Sequence, residues 1–204
     1  MKLSKIGLLL AIIIILNSCA SGYQMINPNS LNYNSNDVKN GISLEYKYDL
    51  LNKKYAKKET KKGVKVVAIK IANNSENDIV FGSDLKLAYE NGNELYVMEN
   101  NKVFKFLKQN TATYLLYLLL TPMTFNKTTS NGNGIETSST PIGLAVGPGL
   151  AGGNMIVAGS ANKKFKNELL EFNLNGMTIK KGETKSGLIG IKSDNYDAIK
   201  IKME

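Results

Sequence analysis

Apolar and polar residues alternate along the chain from Ile42 to Leu50, where Ile, Leu and Tyr occupy every second position. A period of two places successive side chains on opposite faces of a strand, so this segment predicts a half-buried β-strand. A second stretch, Val64 to Ile71, is rich in β-branched residues and almost continuously apolar. Such a run predicts a central strand of a sheet.

Further short apolar segments follow, separated by turn-forming residues. The Asn91-Gly92 pair predicts a tight hairpin, and the polar clusters 73–78 and 193–195 predict turns. The additional predicted strands are 79–81, 85–89, 95–98, 177–179, 187–191 and 198–203. Short strands with regular turns are typical of an antiparallel sandwich. We therefore predict a mainly β fold, which in pattern resembles the immunoglobulin-like domains of small envelope lipoproteins.

The middle of the chain, about residues 101–172, departs from this pattern and predicts a helical, glycine-rich apolar insertion in a β domain of residues 41–204. Residues 103–120 look helical, and Pro122 ends the predicted helix. Residues 124–140 are polar and predict a loop. Residues 142–159 are apolar and rich in glycine, and residues 161–172 have helical spacing.

The insertion has two interpretations. Neither Gln109 to Asn126 nor Thr137 to Asn162 carries a charge, yet neither apolar segment has the composition of a good membrane-spanning helix. The two segments either pack together over one end of the sandwich, with Gly143, Gly147 and Gly159 allowing close backbone approach, or form a hairpin over about 112–159 that enters lipid, oligomerises or binds an apolar partner.

The N-terminus begins with two lysines, Lys2 and Lys5, and continues with eleven apolar residues from Ile6 to Leu16. This run is too short to span a hydrocarbon core, which needs about 20 residues. A basic segment followed by a short apolar one is the layout of a secretory signal peptide, so we predict that residues 1–18 are a signal peptide. Residues 19–40, rich in Asn and Ser, predict a flexible tether.

The signal peptide ends in Leu16-Asn17-Ser18-Cys19, which resembles the lipobox of bacterial lipoproteins. The resemblance implies that a diacylglycerol is attached to the Cys19 thiol, that the chain is cleaved before it, and that the new amino group is acylated. Stable anchoring in a membrane requires more than one acyl chain, and a cysteine acylated in this way carries more than one. Ala20 and Ser21 give no acidic retention-like signal, so by the same resemblance the outer membrane is favoured in a two-membrane cell.

The composition argues against several classes of function. The chain has no His, no Trp and no Arg, and Cys19 is its single cysteine. Without His there is no imidazole base and no usual zinc site, so we expect neither a metal nor a cofactor, and an enzyme is disfavoured. Without a second cysteine the chain has no internal disulfide, so a hydrophobic core must supply its stability.

The chain is basic, with a formal net charge of +9 that falls to +7 once Lys2 and Lys5 are removed. Arginine is the favoured residue for reading bases and phosphates, so its absence argues against nucleic acid as a partner. A cluster of six lysines between positions 53 and 62 predicts a solvated polar loop. Its alternative role is contact with anionic lipid headgroups.

Three motifs suggest chemistry that their context does not support. Residues 147–152 spell G-x-G-x-x-G, but only antiparallel strands and a helix follow, whereas a dinucleotide site needs a βαβ unit. Ser160-x-x-Lys163, Lys185-Ser186-Gly187 and residues 193–195 resemble the elements of serine penicillin-binding enzymes, in the wrong order. Glu168 and Glu171, three positions apart among lysines, predict a solvated helix face.

Three functional hypotheses remain. The first is a membrane-anchored, non-enzymatic binding or structural module of the cell envelope, held by lipid on Cys19 and meeting an envelope protein partner. The second is a membrane-inserting or oligomerising component that uses the apolar insertion. The third is a His-independent enzyme, which would need two converging carboxylates or a Ser–Lys pair.

Overall fold

The computed structural model describes residues 19–132 and 134–203. The predicted signal peptide, residues 1–18, lies outside the described residues. The chain divides into two compact units. We call residues 19–22 and Gln109–Ala161 the apolar unit, and residues 23–108 and 162–203 the β unit.

The described residues form twelve strands and three α-helices. The strands are β1 (Ser35–Lys39), β2 (Ile42–Lys47), β3 (Val64–Asn73), β4 (Ile79–Val80), β5 (Leu85–Tyr89), β6 (Glu94–Leu95), β7 (Val97–Met98), β8 (Phe125–Asn131), β9 (Gly134–Thr140), β10 (Thr178–Ile179), β11 (Thr184–Lys192) and β12 (Ile199–Met203). The α-helices are α1 (Lys53–Lys62), α2 (Asn100–Leu107) and α3 (Gly143–Glu171), and there are two 3-10 helices, Pro28–Ser30 and Thr111–Leu120.

The β unit contains a five-stranded sheet in the order β1-β2-β3-β11-β7, a three-stranded sheet β12-β5-β6 and a pair β10-β4. All the ladders between these strands are antiparallel. The prediction of antiparallel β-structure is therefore confirmed. Helices are more extensive than the sequence predicted, and the immunoglobulin-like topology stays a prediction.

One hydrophobic core contains residues from both larger sheets. β2 buries Ile42, Leu44 and Tyr46 on one face, as its alternating sequence predicts. β3 lies between β2 and β11 and is buried along most of its length, which confirms the predicted central strand. Side chains of β5 and β12, among them Leu85, Leu87, Ile199 and Ile201, join the same core.

The polar loop predicted around the lysine cluster is wrong, because Lys53–Lys62 form helix α1. Tyr55 and Glu59, four residues apart, form its buried face. Gly63 ends the helix in the left-handed conformation, at φ 58°, with its N–H bonded to the carbonyl of Glu59. The buried face of α1 carries too few apolar residues to give the sequence a helical hydrophobic period.

The segment predicted as a flexible tether, residues 19–40, is largely structured. Ser35–Lys39 form β1, which the Asn40-Gly41 turn folds back on β2 with positive φ angles of 49° and 77°. The side chain of Ile26 is buried, and its backbone N–H donates to Glu168 at 2.9 Å. The hydrogen bond of Ile26 and the β1-β2 ladder therefore fix part of the segment in the fold, although its composition is typical of a linker.

The insertion also differs from its prediction. The single helix predicted over 103–120 is α2 followed by the 3-10 helix Thr111–Leu120. The polar loop predicted over 124–140 is the hairpin β8-β9, joined over seven residue pairs. The glycine-rich segment and the predicted helix after it form one helix, α3, of 29 residues, which continues through both units.

Candidate functional site

Cys19, the predicted lipidation site, is exposed at the start of the described chain, in the apolar unit. The other lipobox residues lie outside the described residues. Ala20 and Ser21, which follow it, are bonded to side chains of this unit.

Two side-chain amides bind the backbone directly after Cys19. The N–H of Ala20 donates to Asn154 Oδ1 at 2.5 Å. The N–H of Ser21 donates to Gln109 Oε1 at 3.1 Å, and Gln109 Nε2 donates to the carbonyl of Ser21 at 2.6 Å. The amide of Gln109 thus pairs with both the N–H and the carbonyl of Ser21, in the way that a neighbouring β-strand pairs with a residue.

A small core holds the apolar unit together. The rings of Tyr114 and Tyr117 are stacked, with centroids 6.4 Å apart and planes at 1°. These rings pack with Ala151 and Ala158 of α3, and Ala20 packs against the same cluster. The 3-10 helix and α3 therefore pack on each other through small and aromatic side chains.

Two of the three glycines predicted to allow close approach do so. A Cβ on Gly143 would lie 2.2 Å from the carbonyl oxygen of Leu120, and one on Gly147 would lie 2.7 Å from Thr121 Oγ1. Gly159 has open space at this position, so that part of the prediction is wrong. The two apolar segments therefore pack on each other, which both interpretations of the insertion allow.

Many large apolar side chains of this unit nevertheless remain exposed. On the 3-10 helix and in the segment after it they are Leu115, Leu116, Leu118, Leu119, Met123 and Phe125. Around and on α3 they are Ile142, Leu144, Val146, Ile156 and Val157. Among the described residues, α3 is the one helix that is long and apolar enough to cross a membrane, by length and composition alone. The apolar unit thus keeps a surface typical of contact with lipid or protein.

The hairpin β8-β9 is the polar part of this unit. Every described side chain of β9 is exposed, and the two charges of the hairpin are Lys127 and Glu136. Thr128 and Thr137 face each other with their hydroxyl oxygens 3.4 Å apart, and Ser139 donates to Asn126 Oδ1 at 2.6 Å. Cross-strand polar pairs therefore stabilise it in place of a buried face.

The enzyme-like motifs do not form sites. Residues 147–152 lie inside helix α3, where the G-x-G-x-x-G pattern makes no phosphate-binding turn. Lys185 lies near the start of β11 and Ser193 follows its end, so about 26 Å of extended strand separates them. Two of the elements that resemble penicillin-binding enzymes therefore do not converge.

The β unit contains two buried carboxylates. Glu168 was predicted to be solvated, but it is buried, with its Oε1 accepting from the hydroxyl of Tyr23 at 2.5 Å. Glu59 is also buried and accepts from the N–H of Val66 at 2.7 Å, and burial raises its pKa to about 7. Glu168 accepts a hydrogen bond from the N–H of Ile26, and Glu59 accepts one from the N–H of Val66. Both carboxylates therefore have a structural role.

Among the described residues, no group of three His, Cys, Asp or Glu side chains could hold a metal ion. No known protein family, curated protein or solved structure matches the chain. The candidate site is therefore Cys19 with the apolar unit. Cys19 stays a predicted lipidation site. Nothing in the sequence pointed to Gln109 and Asn154, which lie 88 and 134 residues from their backbone partners.

Proposed function

We propose that this chain is a lipid-anchored protein of the bacterial cell envelope whose apolar unit contacts the membrane beside the acylated Cys19. The observation that carries the proposal is the exposed apolar surface of the unit that contains Cys19. On this proposal the β unit is a non-enzymatic binding or structural module, and the outer membrane is the favoured location in a two-membrane cell.

The energetics favour lipid as the cover for this surface. Burying one exposed leucine contributes about 1.5–3 kcal/mol, and the apolar unit exposes five leucines among its described residues. Placing charges in a membrane is costly, but Gln109 to Asn126 and Thr137 to Asn162 contain none. An anchor on Cys19 would hold this surface at a bilayer.

The form of the β unit supports a binding or structural role. Its two larger sheets share one core, which agrees with the proposal of an immunoglobulin-like sandwich. The carboxylates of Glu59 and Glu168 are bonded to backbone N–H groups. Such bonds stabilise the unit and leave these groups committed to structure.

Vesicle flotation of the mature chain carrying Cys19→Ser tests membrane contact without acyl chains. We expect binding to neutral phosphatidylcholine vesicles, and a loss of tenfold or more in the variant Leu116→Asn/Leu119→Asn, whose leucines are 65% and 75% exposed. The matched control is Val38→Asn/Tyr96→Asn, with exposures of 68% and 76% in the β unit. Equal binding by the two variants would contradict the proposal. Lipidation itself is read from the mass of the native N-terminal peptide.

A further inference from the structure

The chain directly after Cys19 is bonded to the apolar unit by the side chains of Gln109 and Asn154. Each amide has a second bond that fixes its orientation. Gln109 Oε1 also accepts from the hydroxyl of Tyr114 at 3.3 Å, and Asn154 Nδ2 donates to the carbonyl of Leu150 at 2.7 Å. Gln109 is 2% exposed, so its bonds to Ser21 are shielded from water.

We propose that Gln109 and Asn154 form a clamp that fixes the acylated Cys19 against the apolar unit, so that the acyl chains and the exposed apolar surface enter the same leaflet together. The partner is the lipid surface around the anchor. This inference rests on the proposed function and adds what determines the depth of insertion. Gln109 and Asn154 are positioning residues, since they act on the backbone that carries the lipid.

Consecutive Cα atoms are 3.8 Å apart, so the lipid-bearing residue lies one residue from the Ala20–Asn154 bond. A flexible tether of about 20 residues would instead let the anchored unit move over about 25 Å. Fixing the two together raises the effective concentration of the apolar surface at the leaflet. The anchor therefore acts as part of the inserting surface.

The test uses the full lipidated protein in phosphatidylethanolamine–phosphatidylglycerol vesicles. Leu119→Cys supplies the thiol for an environment-sensitive fluorophore, because the thiol of Cys19 is consumed by lipidation. Brominated lipids then report whether the label lies in the hydrocarbon. We expect strong quenching in the parent protein. When six Gly/Ser residues are inserted between Cys19 and Ala20, we expect the label to become shallower, so that lipids brominated near the headgroup quench it more than lipids brominated deep in the acyl chain.

The insertion leaves every residue of the apolar unit unchanged, so a folding defect in the helices does not confuse the result. Gln109→Ala/Asn154→Ala should make the label shallower in the same way while the protein still sediments with the vesicles. Asn126→Ala, an amide of the β8-β9 hairpin, is the control and should keep the parent quenching.

The outcomes separate the two proposals. A parent label that bromolipids do not quench would overturn membrane contact, and with it the proposed function. A label that keeps the parent depth after the Gly/Ser insertion would overturn the clamp and leave membrane contact standing. Equal changes of depth in Asn126→Ala and in the double amide variant would also overturn the clamp.

Discussion

Glu59 shows how one side chain couples the stability of the β unit to pH. It is buried, and burial raises its pKa to about 7, while the N–H of Val66 and the charge of Lys65 act in the opposite direction. A carboxyl whose folded pKa exceeds its unfolded pKa favours folding at low pH. That contribution is complete below the unfolded pKa and is lost as the pH rises through about 7.

We therefore predict that Glu59→Gln stabilises the protein at pH 8 relative to the parent, with little difference at pH 4. The amide keeps an oxygen for the N–H of Val66 and carries no charge to desolvate, so the gain should be on the order of 1–3 kcal/mol. Urea unfolding across this pH range measures it, and Glu171→Gln, at an exposed position, is the control. A parent and variant with parallel pH profiles would contradict the assigned cause.

In the candidate site and in the core, the burial of single polar residues could not be predicted from the sequence. Cys19 could be predicted as a lipidation site because the residues before it form a local pattern. The burial of Glu168 could not be predicted, since its partner Tyr23 lies 145 residues away and the lysines shortly before it suggest a solvated face. The contact of Gln109 could not be predicted either, because its partner Ser21 is distant in sequence and only the fold brings the two residues together.

At the level of elements, β11 and α2 approach each other through a glycine. A Cβ on Gly190 would lie 2.1 Å from Val103 Cγ2, well inside contact distance. Both residues are buried, and Val103 lies on the buried face of α2. The helix can therefore lie this close to the sheet only because position 190 has no side chain.

We expect Gly190→Ala to destabilise the β unit by about 1–3 kcal/mol through overpacking. Val103→Ala leaves a cavity and should also destabilise, but Gly190→Ala/Val103→Ala should lose less than the sum of the two single variants. Denaturant unfolding gives the coupling energy. Thr184→Ala, exposed in the same strand, should change stability by less than about 0.5 kcal/mol. Additive single effects would show that the helix moves away freely.

The elements that sequence predicted best are those with one buried face. β2, β5 and β12 repeat their apolar residues with a strand period because the core covers one face, whereas β3 is apolar almost throughout because most of its length is buried. The hairpin β8-β9 has no such face, so its Ser, Thr and Asn residues looked like a loop. Helix α1 was missed for a related reason, since Tyr55 and the buried Glu59 replace an apolar stripe; the signals that mark it are Gly63 and the lysines before it.

At the scale of the whole molecule, positive charge is concentrated on α1. Burial, followed by the neighbouring charges of Lys62 and Lys108, lowers the pKa of Lys58, which donates a hydrogen bond to the carbonyl of Lys108. The mature chain carries a net charge of +7 on the predicted cleavage. An anionic surface relieves such repulsion, and each lysine near it contributes about 1 kcal/mol.

The mature chain with Cys19→Ser should therefore bind vesicles containing phosphatidylglycerol more tightly than neutral ones, and the increment should shrink as salt rises from about 0.05 to about 0.5 M. At about 1 kcal/mol for each lysine, replacing the exposed lysines Lys57, Lys61 and Lys62 by Gln should reduce this increment about a hundredfold. The control removes the same charge elsewhere, at Lys39, Lys180 and Lys192. An equal reduction in both variants would point to net charge alone.

The short connection from β6 to β7 has a mechanical consequence if the protein is anchored at one end, as proposed. Leu95 pairs with Leu87 in the three-stranded sheet, and Val97 pairs with Ile191 in the five-stranded sheet, so only Tyr96 lies between the two sheets along the chain. A force that drew the sheets apart would load covalent bonds at this point as well as the hydrophobic contacts. Under tension, the two sheets should therefore separate in a single event.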